Sequence, residues 1–124
     1  LQRRESQMTN PLKGQILINL GGKDYTCRLT VDAIIKIETE LDKGILAITQ
    51  KLSEADVRIG DLAVVLLHAL RSGGNDLNMD DVKKIIQNTG IVNTCTAVAL
   101  LLVQSLSDPN AVDESDAKKD TVTS

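Results

Sequence analysis

Aromatic side chains are almost absent from this sequence. Tyr25 is the single aromatic residue, and Phe and Trp do not occur. A core must therefore be aliphatic, and apolar residues make up 42% of the chain, which is typical of a soluble globular domain. Proteins that bind single-stranded nucleic acid stack the bases on aromatic faces, and no basic stripe replaces such faces here. The composition argues against a nucleic-acid partner.

Metal, redox and membrane features are equally scarce. Cys27 and Cys95 form no CxxC pair, and His68 is the only histidine, so the spacing of a zinc site is missing. We expect both thiols to be free and buried, because free cysteine behaves as a small hydrophobe; a disulfide is the alternative. Apolar runs fall short of the roughly 20 residues of a membrane span, and no signal peptide is visible. These features predict a cytosolic protein without a membrane partner.

Acidic charge is concentrated at the C-terminal end. The net charge is −3, and residues 108–124 hold five acids and two lysines, whereas residues 1–107 balance 12 acids with 12 bases. A near-neutral body is compatible with self-association. We expect residues 1–12 and the tail 108–124 to be disordered and residues 13–107 to form one domain. The chain does not begin with methionine, and Met8 is a candidate natural start.

The first ordered element is expected to be a β-hairpin. Apolar residues alternate with period two before and after Gly21 and Gly22, which can form a two-residue turn. Such a turn pairs Leu20 with Lys23, Ile18 with Tyr25 and Ile16 with Cys27. Two strands alone are marginally stable in water, so their apolar face should pack on helices.

Five helical segments follow in the sequence pattern. The first is expected to be capped by Thr30, to run to about Asp42 and to be ended by Gly44. The second is expected at Ile45 to Leu52 and the third at Asp61 to Gly74. The fourth should follow the N-cap Asn78 and run to Asn88, and the fifth should run from Ile91 to Ser107. Arg58 and Ile59 are expected to be extended. The predicted fold class is α+β, mostly α, with an N-terminal β-hairpin packed on a bundle of about four to five helices.

The segments at Asp61–Gly74 and Ile91–Ser107 are apolar on more than one face. In the first, we expect a buried central helix that ends with a left-handed cap at Gly73 and Gly74. The second contains the apolar run 98–103, which either packs within the core or is covered by another chain. The candidate partner-binding residues are Val98, Leu101 and Leu102, and a charge at Leu101 is expected to spare the fold while weakening association.

Catalytic constellations are not evident. His68 lies within an apolar helix and is interpreted as a core or helix-face histidine, with a small hydrolase or metal enzyme as the alternative. Glu38 and Glu40 point to different helix faces, and Lys36 is expected to pair with Glu40. Asp76, Asn78 and Asp80 match the first ligands of a calcium loop, but Asp81 and Gln87 replace its glycine and glutamate. Asn78 is better interpreted as a helix N-cap.

The hairpin at Gly21, Gly22, Lys23 and Tyr25 is followed by Leu29 and Thr30 entering a helix with Ala33, Ile37, Glu38, Leu41 and Gly44. Asp61 and Leu62 then open a helix that ends at Leu70, Arg71, Ser72, Gly73 and Gly74, before Val82 and a break at Gly90. In this order the residues resemble the gene transfer agent family of phage tail proteins, over residues 13–106. Ser72 stands where glycine is expected to be frequent in that family, and the acidic tail lies outside the similarity.

The resemblance implies a non-enzymatic, prophage-encoded tail assembly chaperone of the bacterial cytoplasm. Such a protein binds the long apolar tape measure protein while the tail tube polymerises. The tail tube protein is an additional implied partner, and no catalytic, cofactor-binding or metal-binding residue carries over. Self-association is the competing use of the apolar surface on the last helix. The family is also described as tail tube proteins, so a structural tail component retained in the particle is the alternative.

Overall fold

A β-hairpin is followed by five helices in the computed structural model, which describes residues 14–107. The strands are β1 (Ile16–Leu20) and β2 (Lys23–Cys27), and the helices are α1 (Val31–Leu41), α2 (Ile45–Ser53), α3 (Ile59–Ser72), α4 (Met79–Thr89) and α5 (Ile91–Ser107). The predicted α+β, mostly helical class is confirmed. The disorder expected for residues 1–12 and 108–124 lies outside the described residues.

The hairpin has the register that the sequence predicts. Leu20 pairs with Lys23, Ile18 with Tyr25 and Ile16 with Cys27 in an antiparallel sheet. Gly21 and Gly22 have φ of 64° and 88°, which is the turn geometry that matches the twist of the flanking strands. Ile18, Leu20 and Cys27 are buried against the helices, so the period-two pattern correctly indicates the inner face.

The corner between α1 and α2 differs from the prediction. Asp42 takes the left-handed conformation that ends α1, with φ of 55°, because an aspartate tolerates this region better than most residues. Gly44 is extended and is the N-cap of α2, so the expectation that Gly44 ends α1 is wrong. The carboxylate of Glu38 accepts a hydrogen bond of 2.7 Å from the backbone N–H of Ile45. A side chain of α1 therefore satisfies a free donor at the start of α2.

Helix α3 occupies the centre of the fold and contacts α1, α4, α5 and β2. It begins at Ile59, two residues earlier than expected, so the extended conformation predicted for Ile59 is wrong, whereas Arg58 is extended as the N-cap. The buried residues of α3 lie on most sides of the helix: Leu62, Ala63, Val65, Leu66, Leu67, Ala69 and Leu70. The prediction of a buried central helix is confirmed.

Gly73 ends α3 for a different reason from the one expected. Its φ is −82°, and the left-handed residue is Gly74, with φ of 99°. A Cβ on Gly73 would overlap the carbonyl oxygen of Thr26 and lie 2.7 Å from the Cα of Cys27. The absence of a side chain lets the end of α3 approach the backbone of β2 closely.

Hydrogen bonds fasten β2 to the end of α3. The N–H of Arg28 donates to the carbonyl of Ala69 at 3.0 Å. The side-chain amide of Asn75 donates to the carbonyls of Thr26, at 2.7 Å, and Leu70, at 3.0 Å. The hairpin is thus joined to the central helix by polar as well as apolar contacts.

The N-terminus of α4 confirms the N-cap interpretation of Asn78. The side chain of Asn78 accepts from the N–H of Asp81 at 2.9 Å, and the carboxylate of Asp81 accepts from the N–H of Asn78 at 3.0 Å. This reciprocal capping box accounts for Asn78, one of the residues that also suggested calcium, and for Asp81, which departs from the calcium-loop pattern. Within residues 14–107, no group of three or more His, Cys, Asp or Glu side chains is placed to hold a metal ion.

Candidate interaction surface

Helix α5 is the longest helix of the described region, with 17 residues, and none of them is charged. It packs against α2, α3, α4 and β1. The side that faces these elements is formed by residues at helical spacing: Thr94, Cys95, Val98, Ala99, Leu101, Leu102 and Ser105. The length and the start of this helix agree with the sequence prediction.

The three candidate partner-binding residues lie on the buried side of α5. Val98, Leu101 and Leu102 have 0, 1 and 0% of their surface exposed. Positions spaced by three and four residues share one side of a helix, and here that side faces the core. The expectation that Leu101 points outward is wrong. A partner could reach these three side chains only if α5 separated from the rest of the domain.

A different set of residues forms the exposed side of α5. Val92, Leu100 and Val103 are 63, 57 and 46% exposed. With the exposed Thr96 and Ser107, they repeat at spacings of four, four, three and four residues, which places all five on one side of the helix. We call Val92, Thr96, Leu100, Val103 and Ser107 the α5 stripe. The helical spacing of these residues is visible in the sequence. The continuous apolar run 98–103, however, does not show which of its residues face outward.

Thr96, one of the two polar residues in the α5 stripe, requires no external partner. The hydroxyl of Thr96 donates to the carbonyl of Val92 on its own helix, at 3.1 Å. Its methyl group therefore remains available for apolar contact. A chain that covers the α5 stripe would bury aliphatic groups without leaving this hydroxyl unsatisfied, which would otherwise be unfavourable.

A concave region lies between three elements, namely the end of α1, helix α2 and the start of α3. It encloses about 400 Å³ and includes Leu41, Ala47, Ile48 and Val57 among its apolar lining residues. Four of its five charged lining residues form ion pairs, Lys43 with Asp61 at 3.1 Å and Lys51 with Asp56 at 3.3 Å, and the fifth is Arg58. These lysines are neutralised within the chain, so they favour no particular anionic ligand.

His68 ties two helices together. Its Nε2 lies 2.6 Å from the Glu40 carboxylate, which joins α3 to α1. The expected ion pair between Lys36 and Glu40 is wrong, because Lys36 pairs with Asp32 on the preceding turn, at 3.1 Å. The interpretation of His68 as a helix-face residue is consistent with its small exposed fraction of 14%.

Both cysteines are free and buried, as the sequence predicts. Burial raises the pKa of the Cys27 thiol from 9.0 to about 12. Burial also raises the pKa of the Cys95 thiol. The thiolate is the nucleophilic form of cysteine, so these protonated thiols are unsuited to nucleophilic chemistry at neutral pH.

Across the part of the chain that the structure describes, no single helix is long and apolar enough to cross a membrane. Helices α4 and α5 taken together have the length and apolar composition of a membrane span, but they are bent by 111° relative to each other.

The fold and the α5 stripe define a small α+β protein with an exposed aliphatic helix face. Residues 13–108 match the family described as phage tail tube protein, GTA-gp10. The chain therefore belongs to this family of phage tail and gene transfer agent proteins, and the resemblance noted from the sequence is confirmed. No curated protein and no solved structure matches the chain.

Proposed function

We propose that this chain is a structural component of the tail of a phage or gene transfer agent particle. The observation that carries the proposal is the match to a tail tube family over residues 13–108, which includes every described strand and helix. A structural component acts by binding neighbouring tail proteins, without catalysis or a cofactor. It is made in the bacterial cytoplasm and becomes part of the particle, with no nucleic-acid or membrane partner.

The α5 stripe supports a binding role. Its exposed side chains are aliphatic or small, and the helix carries no charge over its whole length. Apolar surface that is covered on assembly contributes roughly 25 cal/mol per Å² to association. Exposed aliphatic residues on a helix that already belongs to the core can thus be used for contact without rearranging the fold.

Particle composition tests this proposal. Particles are purified, and this chain is quantified by mass spectrometry relative to the major capsid protein. A structural component is expected at a reproducible number of copies per particle. If the chain forms the tail tube, that number should be larger in particles with longer tails. Loss of the chain on purification, with normal particles remaining, would contradict the proposal.

A matched pair of variants links the copy number to the α5 stripe. Leu100→Asp places a charge in the stripe, whereas Ile35→Asp places one at a similarly exposed position on α1; the two residues are 57 and 54% exposed. We expect Leu100→Asp to reduce incorporation and Ile35→Asp to leave it unchanged. Equal incorporation of both variants would show that the α5 stripe is not the contact surface.

A second candidate function is that of a tail assembly chaperone for the tape measure protein. The specific feature that favours it is the uncharged α5 stripe, because an aliphatic helix face can bind the apolar face of a helical partner. The test is co-expression of the two proteins. A chaperone increases the soluble fraction of the tape measure protein and is absent from finished particles, whereas a structural component is retained in them.

A further inference from the structure

The two outer edges of the β-hairpin differ in how their backbone groups are used. In a hairpin with a two-residue turn, the pair next to the turn is hydrogen-bonded, and pairs with and without hydrogen bonds then alternate along the strands. The outward-pointing backbone groups of β1 therefore belong to Leu17 and Asn19. Those of β2 belong to Asp24 and Thr26, and the Thr26 carbonyl accepts a hydrogen bond from Asn75, in agreement with this alternation.

Within residues 14–107, the edge of β2 is covered and the edge of β1 is not. Hydrogen bonds to Ala69 and from Asn75 cover β2. The outward backbone groups of Leu17 and Asn19 form no hydrogen bond to any described residue, and both residues are exposed. Edge strands are usually protected by charged residues, proline or a bulge, and β1, with the sequence ILINL and a continuous register, has none of these. The β1 edge is therefore open to another extended segment.

The chain enters β1 through a residue in a turn conformation. Gly14 has φ of 84°, in the left-handed region that glycine adopts without strain. It is preceded by Asn10 and Pro11, the residue types favoured at the first and second positions of a type I turn. Four-residue loops between antiparallel strands are most often built around such a turn. A loop at 11–14 leads the preceding residues back along the open edge, with Asn10 opposite Gln15.

Shorter loops are disfavoured by the residues at this corner. A two-residue loop with positive φ at Gly14 also requires positive φ at Lys13, which is unfavourable for a lysine. A three-residue loop at 12–14 would place Pro11 in the first hydrogen-bonded pair, where it has no N–H to donate. The four-residue loop leaves Pro11 outside the pairing, so the chemistry of these residues determines the register.

We propose that residues 6–10 bind the open edge of β1 as a third, antiparallel strand, in place of the disorder expected from composition. The hydrogen-bonded pairs join Asn10 to Gln15, Met8 to Leu17 and Ser6 to Asn19. The side chain of Met8 then covers Leu17, which is 50% exposed, while polar residues lie opposite polar residues. Residues 6–10 carry no charge, so no like charges meet along the edge.

The covalent connection favours this segment over any other strand. Four residues join Asn10 to Gln15, so the pairing is intramolecular, at an effective concentration on the order of millimolar. A strand of a second copy or of another protein loses translational and rotational freedom on binding, and it competes at its actual concentration. The third strand keeps the β1 edges of separate copies from pairing with each other. The proposal goes beyond the structural role in the tail and does not depend on it.

The first experiment measures backbone hydrogen exchange in the full chain by NMR. The amide of Ile18 points towards β2 and should be protected in any case. We expect the amides of Leu17 and Asn19 to be protected as well, to an extent that does not depend on protein concentration. Exchange of these two amides at the rate of an exposed loop would overturn the proposal. Protection that increases with concentration would show that a second copy covers the edge, and would overturn it too.

Two proline variants form a matched pair for the same measurement. Met8→Pro removes an N–H that faces β1 in the proposed register, whereas Thr9→Pro removes one that faces solvent, which an edge strand tolerates. We expect Met8→Pro to accelerate exchange at Leu17 and Asn19 by about tenfold or more, and Thr9→Pro to change it by less than about twofold. The protected amide of Ile18 checks that the hairpin is intact in both variants. Equal effects of the two prolines, or no effect of either, would contradict the proposal.

The second experiment tests the register with introduced cysteines in the full chain, in which the native thiols are buried. Met8→Cys with Leu17→Cys places two Cα atoms about 5.5 Å apart, which a disulfide can span. Met8→Cys with Asn19→Cys separates them by more than about 7 Å, which it cannot. We expect an intrachain disulfide in the first double variant at a rate about tenfold or more above the second. Equal rates, or disulfides formed only between chains, would overturn the proposal.

Discussion

Helices α3 and α5 are both rich in apolar residues but have different surroundings. Both are apolar beyond a single stripe, yet α3 buries seven of its 14 residues and has its largest apolar side chains turned inward, apart from Ile59 at its start. Helix α5 buries seven of its 17 residues and leaves four large aliphatic side chains 46–63% exposed. Apolar composition alone therefore does not identify a helix that is buried on all sides.

The neighbours of each helix explain the difference. Helix α3 is enclosed by α1, α4, α5 and β2, whereas none of the strands and helices described in residues 14–107 covers the outer side of α5. The residues available for binding are those that happen to face away from the core. Their identity depends on packing, which the sequence pattern does not specify.

The largest expected effects on stability come from replacing buried leucines in α3 and α5. Leu66 on α3 and Leu101 on α5 are fully or almost fully buried, and Leu100 is 57% exposed. Replacement of a buried leucine by alanine removes apolar contacts and leaves a cavity, so Leu66→Ala and Leu101→Ala should each lower the free energy of unfolding by about 2–5 kcal/mol. Urea denaturation followed by circular dichroism measures the change.

Leu100→Ala is the control for this pair. Because Leu100 is half-exposed, we expect its replacement to change the stability of the monomer by less than about 1 kcal/mol. If Leu101→Ala were as mild as Leu100→Ala, the description of α5 as having one buried and one exposed side would be incorrect.

The end of α3 offers a test of how closely it packs on β2. Gly73→Ala introduces a Cβ that overlaps the backbone of Thr26 and Cys27. The strands or the helix must move, so we expect a loss of about 1–3 kcal/mol in the free energy of unfolding. Thermal and urea denaturation measure the loss.

Gly60→Ala, at the start of the same helix, is the matched control. A Cβ at Gly60 meets no atom within 4 Å, and alanine restricts the unfolded chain, so this variant should gain about 0.4–1 kcal/mol. A neutral Gly73→Ala would indicate that the approach of α3 to β2 is looser than described.

The buried thiol next to this contact makes stability depend on pH. Cys27 remains protonated in the folded chain up to a pKa of about 12, whereas the unfolded thiol ionises near 9.0. The unfolded state therefore loses its proton first, and stability that is complete below pH 9.0 decreases as the pH rises towards 12. Urea denaturation between about pH 8 and about pH 11 should show a steeper decrease for the native chain than for Cys27→Ala. Equal slopes would mean that Cys27 is more accessible than its burial indicates.

The smallest effect is expected on the inner side of α5. The hydroxyl of Ser105 is fully buried and has no hydrogen-bond partner within the described residues. Ser105→Ala removes a polar group that lost its water on folding, so we expect a gain of up to about 1 kcal/mol in stability. Ser107→Ala, on the exposed side, should be neutral. A loss of stability in Ser105→Ala would imply that the hydroxyl is hydrogen-bonded in solution.

The sequence predicted the local structure well, because the responsible forces are local. The alternation around Gly21 and Gly22 defined both the turn and the strand register, and the capping pattern at Asn78 defined the start of α4. The errors at Gly44 and Ile59 concern helix boundaries. Asp42, rather than Gly44, ends α1, and α3 begins at Ile59, which was expected to be extended. Helix termini depend on a few weak interactions, so neighbouring residues can serve equally well.

The candidate site was less accessible from the sequence. The run 98–103 offers six apolar positions, and a helical period alone does not say which side of α5 meets α2, β1 and α4. The roles of Glu38 and Glu40 were missed for the same reason. Their partners, Ile45 and His68, lie on other helices, and such contacts arise only when the helices assemble.

The hydrogen bonds from Arg28 and Asn75 connect residues that are far apart in the sequence but adjacent in space. The hairpin cannot acquire these bonds until the end of α3 is in place, so the two elements should open together as one cooperative unit. Native-state hydrogen exchange would then show the backbone amide of Arg28 exchanging at the same rate as amides in the middle of α3, rather than at the faster rate of a fraying strand end.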